Sequence, residues 1–221
     1  MPSVSGHSVL CEPVSSSARA PLPFAECPLA PTAAPSTTAA AAPLPAATAG
    51  ALAFYLAVLL VERVSELWLS RRNLARLAAR GPVQTHREPF WTFVVLHAAF
   101  PVALVTEVLV AGARPPAWWP LWLALWLAAQ ALRAAAVRAL GDRWNTRIVV
   151  VPGAAPVSDG IYRWLQHPNY VAVALEFVSA PLLFGAWRTA AAFTALNALA
   201  MTVRIPAEER ALREAAAARA R

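Results

Sequence analysis

Residues 168–207 read PNYVAVALEFVSAPLLFGAWRTAAAFTALNALAMTVRIPA, and only Glu176, Arg188 and Arg204 among them carry a formal charge. The two halves, 168–187 and 188–207, each match the roughly 20 apolar residues that cross a bilayer as a helix. Their junction at Gly185, Ala186, Trp187 and Arg188 leaves room only for a tight turn, so a helical hairpin is expected. Pro168 suits the first helical position, where its missing N–H costs nothing, and it pushes His167 out of the helical region into a capping position.

Working outward, three more apolar stretches precede the hairpin, at 50–70, 89–111 and 116–138. Composition agrees: 58% of the 221 residues are apolar, 14% are charged and mean hydropathy is +0.49. A water-soluble domain carries about a quarter charged residues, so too little polar surface is present to cover one. The expected fold class is all-α, an integral membrane bundle of about five transmembrane helices with a C-terminal helical hairpin. Trp118, Trp119, Trp122, Trp126 and Trp187 fall where interfacial rings are expected.

All 19 basic residues are Arg. They cluster between apolar stretches rather than on a polar surface, which argues against a nucleic-acid partner and for membrane lipid. Along the chain the connections carry five, one, five, one and five Arg, starting with Arg71, Arg72, Arg76, Arg80 and Arg87. By the positive-inside rule the N-terminus is expected outside and the C-terminus in the cytoplasm of a bacterial inner-membrane protein. Residues 1–48 hold 9 of the 20 Pro and both Cys, and read as a disordered Pro/Ala-rich tail before a membrane domain at 49–221. Cys11 and Cys27 lack metal-ligand spacing, and no metal is expected.

Ionisable side chains inside a membrane are costly unless paired or wetted. Glu62, Glu66, Glu176 and Arg204 all fall in the half of the bundle that the Arg count assigns to the cytoplasm. Either they line a polar pocket or they pair internally, Glu66 with a nearby Arg for instance. The stretch Asp159 to Tyr170, DGIYRWLQHPNY, sets Tyr162, His167, Asn169 and Tyr170 around a helix start whose N–H groups suit a carboxylate or phosphate. In Arg204-Ile205-Pro206-Ala207-Glu208-Glu209, Pro206 is expected to kink the chain and re-aim the two carboxylates.

G-x-Y-x-x-x-x-HPNY at 160–170, followed after the hairpin by R-x-x-x-EE at 204–209, resembles the isoprenylcysteine carboxyl methyltransferase family of integral membrane enzymes. The segments Gly141 to Ile148 (GDRWNTRI), Glu62 to Leu67 (ERVSEL) and Ser70 to Asn73 (SRRN) are similar to its bacterial branch. The resemblance spans 50–214. It implies an S-adenosylmethionine-dependent O-methyltransferase whose cofactor is bound by His167, Asn169, Tyr170, Tyr162, Glu208 and Glu209. It also implies catalytic roles for Arg204 and Glu208.

No strand-borne GxGxxG loop is present, which disfavours a soluble Rossmann-type methyltransferase. A membrane location implies a lipophilic acceptor that enters between helices. A carboxylate acceptor needs only orientation, whereas a phenol must lose a proton, and Glu176 is a candidate base or else a partner of Arg204. Similarity to alkylresorcinol and alkylpyrone O-methyltransferases points to a long-chain phenol or enol; a prenylated cysteine or other lipidic carboxylate is the alternative. A small transporter or assembly subunit, with Asn197 and His97 in its relay, is the alternative of another class.

Overall fold

The computed structural model describes residues 43–81, 83–85 and 90–217. Most of the 1–48 tail, with both Cys, and Arg87, Arg219 and Arg221 lie outside the described residues. The elements follow as α1 (Ala46–Arg80), β1 (Gln84–Thr85), α2 (Phe90–Leu109), α3 (Trp119–Leu140), β2 (Val149–Val150), α4 (Pro168–Leu183) and α5 (Trp187–Ala217). Short 3₁₀ turns at Gly141–Arg143 and Gly160–Arg163 bracket the loop that carries β2. The two strands pair antiparallel, Gln84 with Val150 and Thr85 with Val149.

The all-α membrane bundle is borne out, with shifted boundaries. Among the described residues four helices are long and apolar enough to cross a membrane: Ala46–Arg80, Phe90–Leu109, Trp119–Arg143 and Trp187–Ala217. α4 has only 16 residues, about 24 Å at 1.5 Å per residue, so it is shorter than the span expected at 168–187. Pro181 removes an N–H near its end and Gly185, at φ +75, turns the chain. α1 begins at Ala46 rather than Gly50 and runs to Arg80, and α5 continues through Pro206 to Ala217. Ala, Leu and Arg, which favour helix, fill both extensions.

Large apolar side chains point outward, among them Phe54, Val61, Trp91, Val102 and Leu199, each more than 60% exposed. Buried polar side chains include Asn73, Glu107, Arg133, Glu176, Asn197 and Arg204. This inversion is the arrangement of a protein whose solvent is lipid. Hydrocarbon gives helices no apolar reason to associate, so close packing carries much of the cohesion. α3 and α4 pack most extensively, and Ala129, Ala136, Ala172 and Ala180 on these helices are fully buried. An aromatic group of Tyr55, Phe100, Phe177, Phe184 and Phe193 fills the core at the hairpin side. Phe100 meets Phe177 edge-on with ring centroids 4.9 Å apart.

Gly185 is required for two reasons. Its φ is one L side chains rarely adopt, and a Cβ there would lie 1.9 Å from the Arg114 carbonyl oxygen. Beside this turn, Glu107 of α2 accepts hydrogen bonds from the backbone N–H of Arg188 and Thr189, which begin α5. A carboxylate from another helix thus serves as the cap of α5. A cap supplied from 81 residues away has no local sequence pattern.

Candidate functional site

Pro168 occupies the start of α4 and His167 the capping position, as their order predicts. The His167 carbonyl accepts from the N–H of Tyr170 and Val171, and its ring makes no side-chain cap bond. The ring is therefore available to its neighbours. It stacks on Tyr170, centroids 5.5 Å apart and planes 21° apart, and Nε2 lies 3.5 Å from Glu209 Oε1 and Nδ1 3.9 Å from Glu208 Oε2.

The hairpin brings the end of α5 against this start. The Tyr170 hydroxyl donates to the Glu208 carboxylate and accepts from Arg204 Nε at 3.1 Å. Arg204 Nη2 donates to the Thr146 carbonyl at 2.8 Å, and its guanidinium lies 4.8 Å from the Phe93 ring centroid. Four expected site residues, His167, Tyr170, Arg204 and Glu208, thereby form one stacked and hydrogen-bonded group, with Glu209 at its edge. Tyr162 faces the same carboxylate. Burial, and after it the charge of Glu208, pushes its hydroxyl up to about 12, so it remains a proton donor through the neutral range. Asn169 contributes a buried Oδ1 with no hydrogen-bond partner among the described residues.

Two cavities adjoin here. One, of about 420 Å³, lies among the helices and includes Leu67, Phe93, Val94, His97, Asn169, Tyr170 and Arg204 in its wall. The other, of about 530 Å³, lies under the loop at 143–158 and the end of α5, and includes Arg143, Ser158, Glu209 and Arg213. Tyr162, Gln166, His167 and Glu208 face both. Volumes of 300–1,000 Å³ with a few converging polar groups are typical of small-molecule sites.

The loop over the second cavity is tied to α1. Asn73, buried, donates to the carbonyls of Gly141 at 3.1 Å and Trp144 at 2.8 Å. Ser70 Oγ bonds Asn145 Oδ1 and Thr146 Oγ1, both at 3.0 Å. Asp142 pairs with Arg76 and Arg80. The SRRN and GDRWNTRI stretches, far apart in sequence, are therefore two sides of one joint.

Glu176 is placed elsewhere than expected. Its partner is Arg133 of α3 rather than Arg204; Gln130 Nε2 donates at 2.6 Å, and Arg63 Nη2 adds an ion pair at 3.6 Å. Both carboxylate oxygens are engaged, and Glu176 faces neither cavity. Arg133 also pairs with Glu66, which Arg63 reaches at 2.9 Å. The reading of Glu66 with a nearby Arg thus describes this cluster, and α1, α3 and α4 are joined through it. Spacing does not reveal it, because Arg133 of α3 meets partners on α1 and α4 that are 67 and 43 residues away.

The described residues hold no cluster of His, Cys, Asp and Glu suited to a metal ion. The sequence profile of the isoprenylcysteine carboxyl methyltransferase family matches residues 122–214, which include α4, α5 as far as Glu214 and every expected site residue. An uncharacterised protein of Bacillus subtilis (strain 168), YpbQ, is 37% identical over 159 residues, covering 72% of this chain and 95% of its own length. No solved structure matches significantly. With those motifs on α4 and α5 of a membrane bundle, the chain belongs to the isoprenylcysteine carboxyl methyltransferase family.

Proposed function

We propose that this protein methylates an oxygen of a lipophilic acceptor within the membrane, using S-adenosylmethionine. The observation that carries the reading is the pair of cavities with a common wall. The loop-covered cavity is the cofactor's, and the cavity among the helices is the acceptor's. S-adenosylmethionine, when bound, supplies an electrophilic methyl group on a sulfonium centre.

The donor set suits such a cofactor. Glu208 and Glu209 suit hydroxyl and amino groups and His167 offers an aromatic face, all three lining the loop-covered cavity, while Asn169 and Tyr170 line the cavity among the helices and meet the cofactor where it reaches the common wall. Tyr162 donates from the common wall. Arg204, fixed by Tyr170 and Thr146, orients the acceptor oxygen. Methyl transfer is an in-line displacement, so positioning and exclusion of water contribute most. Glu176, saturated by its partners, is a structural anion in this reading, and the proton that a phenol or enol gives up passes to the Glu208 carboxylate in the common wall.

The acceptor is a long-chain phenol or enol of alkylresorcinol or alkylpyrone type. Arg204 in the wall of that cavity favours a lipidic carboxylate, such as a prenylated cysteine, as the second reading. Residues 49–221 form the methyltransferase domain, with the Arg-rich connections and C-terminus on the cytoplasmic face. Calorimetry of detergent-solubilised protein should show S-adenosylmethionine binding, weakened in His167→Ala; no binding by the parent rejects the enzyme. Membranes given labelled cofactor should place label in base-stable lipid ethers, and label released by mild alkali rejects the phenol.

A further inference from the structure

The cavity among the helices has a polar wall that the cofactor residues do not use. His97 of α2 lines it together with Arg63, Glu66 and Arg133. His97 Nδ1 is 2.8 Å from the Phe93 carbonyl oxygen one turn earlier. A carbonyl oxygen only accepts, so the proton is on Nδ1 and Nε2 presents a lone pair. Among the described residues Nε2 has no hydrogen-bond partner. Arg63 and Arg133 in the same wall have their charge met by Glu62, Glu66 and Glu176.

This set is asymmetric in a useful way. Nε2 requires a hydrogen, whereas the guanidinium groups beside it already have their anions. A hydroxyl supplies that hydrogen. An ether supplies lone pairs only, and a carboxylate does the same while turning negative charge on the Nε2 lone pair. We infer that His97, with Arg63 and Arg133 in the same cavity wall, reads a hydroxyl of the acceptor and so selects lipidic phenols and enols over carboxylates. Phe93 links this wall to the transfer site: its carbonyl holds His97 and its ring lies against Arg204. His97 is a specificity residue here, and the step itself does not pass through it.

The inference rests on the reading that this cavity holds the acceptor. Its test is binding to the full detergent-solubilised chain without cofactor, using a long-chain alkylresorcinol, its dimethyl ether and a fatty acid of equal chain length. The parent should prefer the resorcinol to the ether by about tenfold or more. His97→Leu should erase that preference with S-adenosylmethionine affinity unchanged, and His97→Gln, whose side-chain carbonyl accepts, should keep part of it. In turnover, His97→Leu should raise KM with little change in kcat. A preference undiminished in His97→Leu, or tighter binding of the fatty acid by the parent, overturns the inference while cofactor binding still supports the enzyme. Failure of the parent to bind any of the three removes the acceptor cavity and the inference with it. Loss of cofactor binding in the parent is a separate result that rejects the proposed function.

Discussion

Glu107 holds Thr189 by two bonds to one carboxylate oxygen: the Thr189 backbone N–H and its hydroxyl each donate to Oε2 at 2.6 Å. The pair joins α2 to the first turn of α5 at the end of the bundle away from the candidate site. Glu107→Ala is expected to cost about 1–3 kcal/mol, since it leaves buried donors unmatched. Thermal unfolding in detergent should record the loss, with S-adenosylmethionine affinity unchanged. An unchanged melting temperature would show that the cap is dispensable.

Gly185 and Gly112 separate two causes of glycine preference. Both have positive φ, +75 and +71, but only Gly185 has no room for a Cβ. Gly112→Ala is expected to cost about 1–2 kcal/mol from backbone conformation alone. Gly185→Ala must also move the Arg114 backbone and should cost more, enough to lower expression. Equal melting temperatures for the two variants would refute the steric part.

Arg133 and Glu176 are a buried pair with shared partners, so they should couple strongly. Either Arg133→Met or Glu176→Leu alone leaves an uncompensated charge and should cost about 3–5 kcal/mol. The double variant should cost clearly less than the sum. Additive losses in a double-mutant cycle would mean that the pair contributes little. If Glu176 were instead a base, Glu176→Gln would abolish turnover while leaving stability nearly intact.

Tyr170 is the hinge between Arg204 and Glu208. Tyr170→Phe keeps the ring stacked on His167 and removes only the hydroxyl that both neighbours use. Cofactor affinity should fall about tenfold, corresponding to roughly 1.4 kcal/mol. Calorimetry on the variant checks this, and unchanged affinity would place the cofactor away from this side chain.

Tyr162 gives a titration with a fixed sign. Its hydroxyl is pushed up to about 12 by burial, with Glu208 second, whereas an unfolded tyrosine ionises near 10. The folded form therefore holds this proton longer, and stability should fall as pH rises from about 10 to 12. Tyr162→Phe should flatten that decline. A decline of the same steepness in the variant would assign it to another group.

Much of the bundle was legible because its causes are local. Apolar length marks a helix that lipid tolerates, Pro168 marks where one starts, and Gly185 marks where the chain reverses. A hairpin then sets HPNY opposite R-x-x-x-EE with little freedom, so the meeting of His167, Tyr170, Arg204 and Glu208 followed from positions on two adjoining helices. Partner choice across nonadjacent helices was not legible. Arg133 choosing Glu66 and Glu176, Glu107 capping α5, and Asn73 holding the loop at Gly141 depend on how each helix is rotated about its axis and which neighbour it meets. Hydropathy is nearly blind to rotation when every face is apolar, because lipid accepts any of them. Side-chain packing and the need to match each buried charge select one rotation, and both exist only once the helices are assembled.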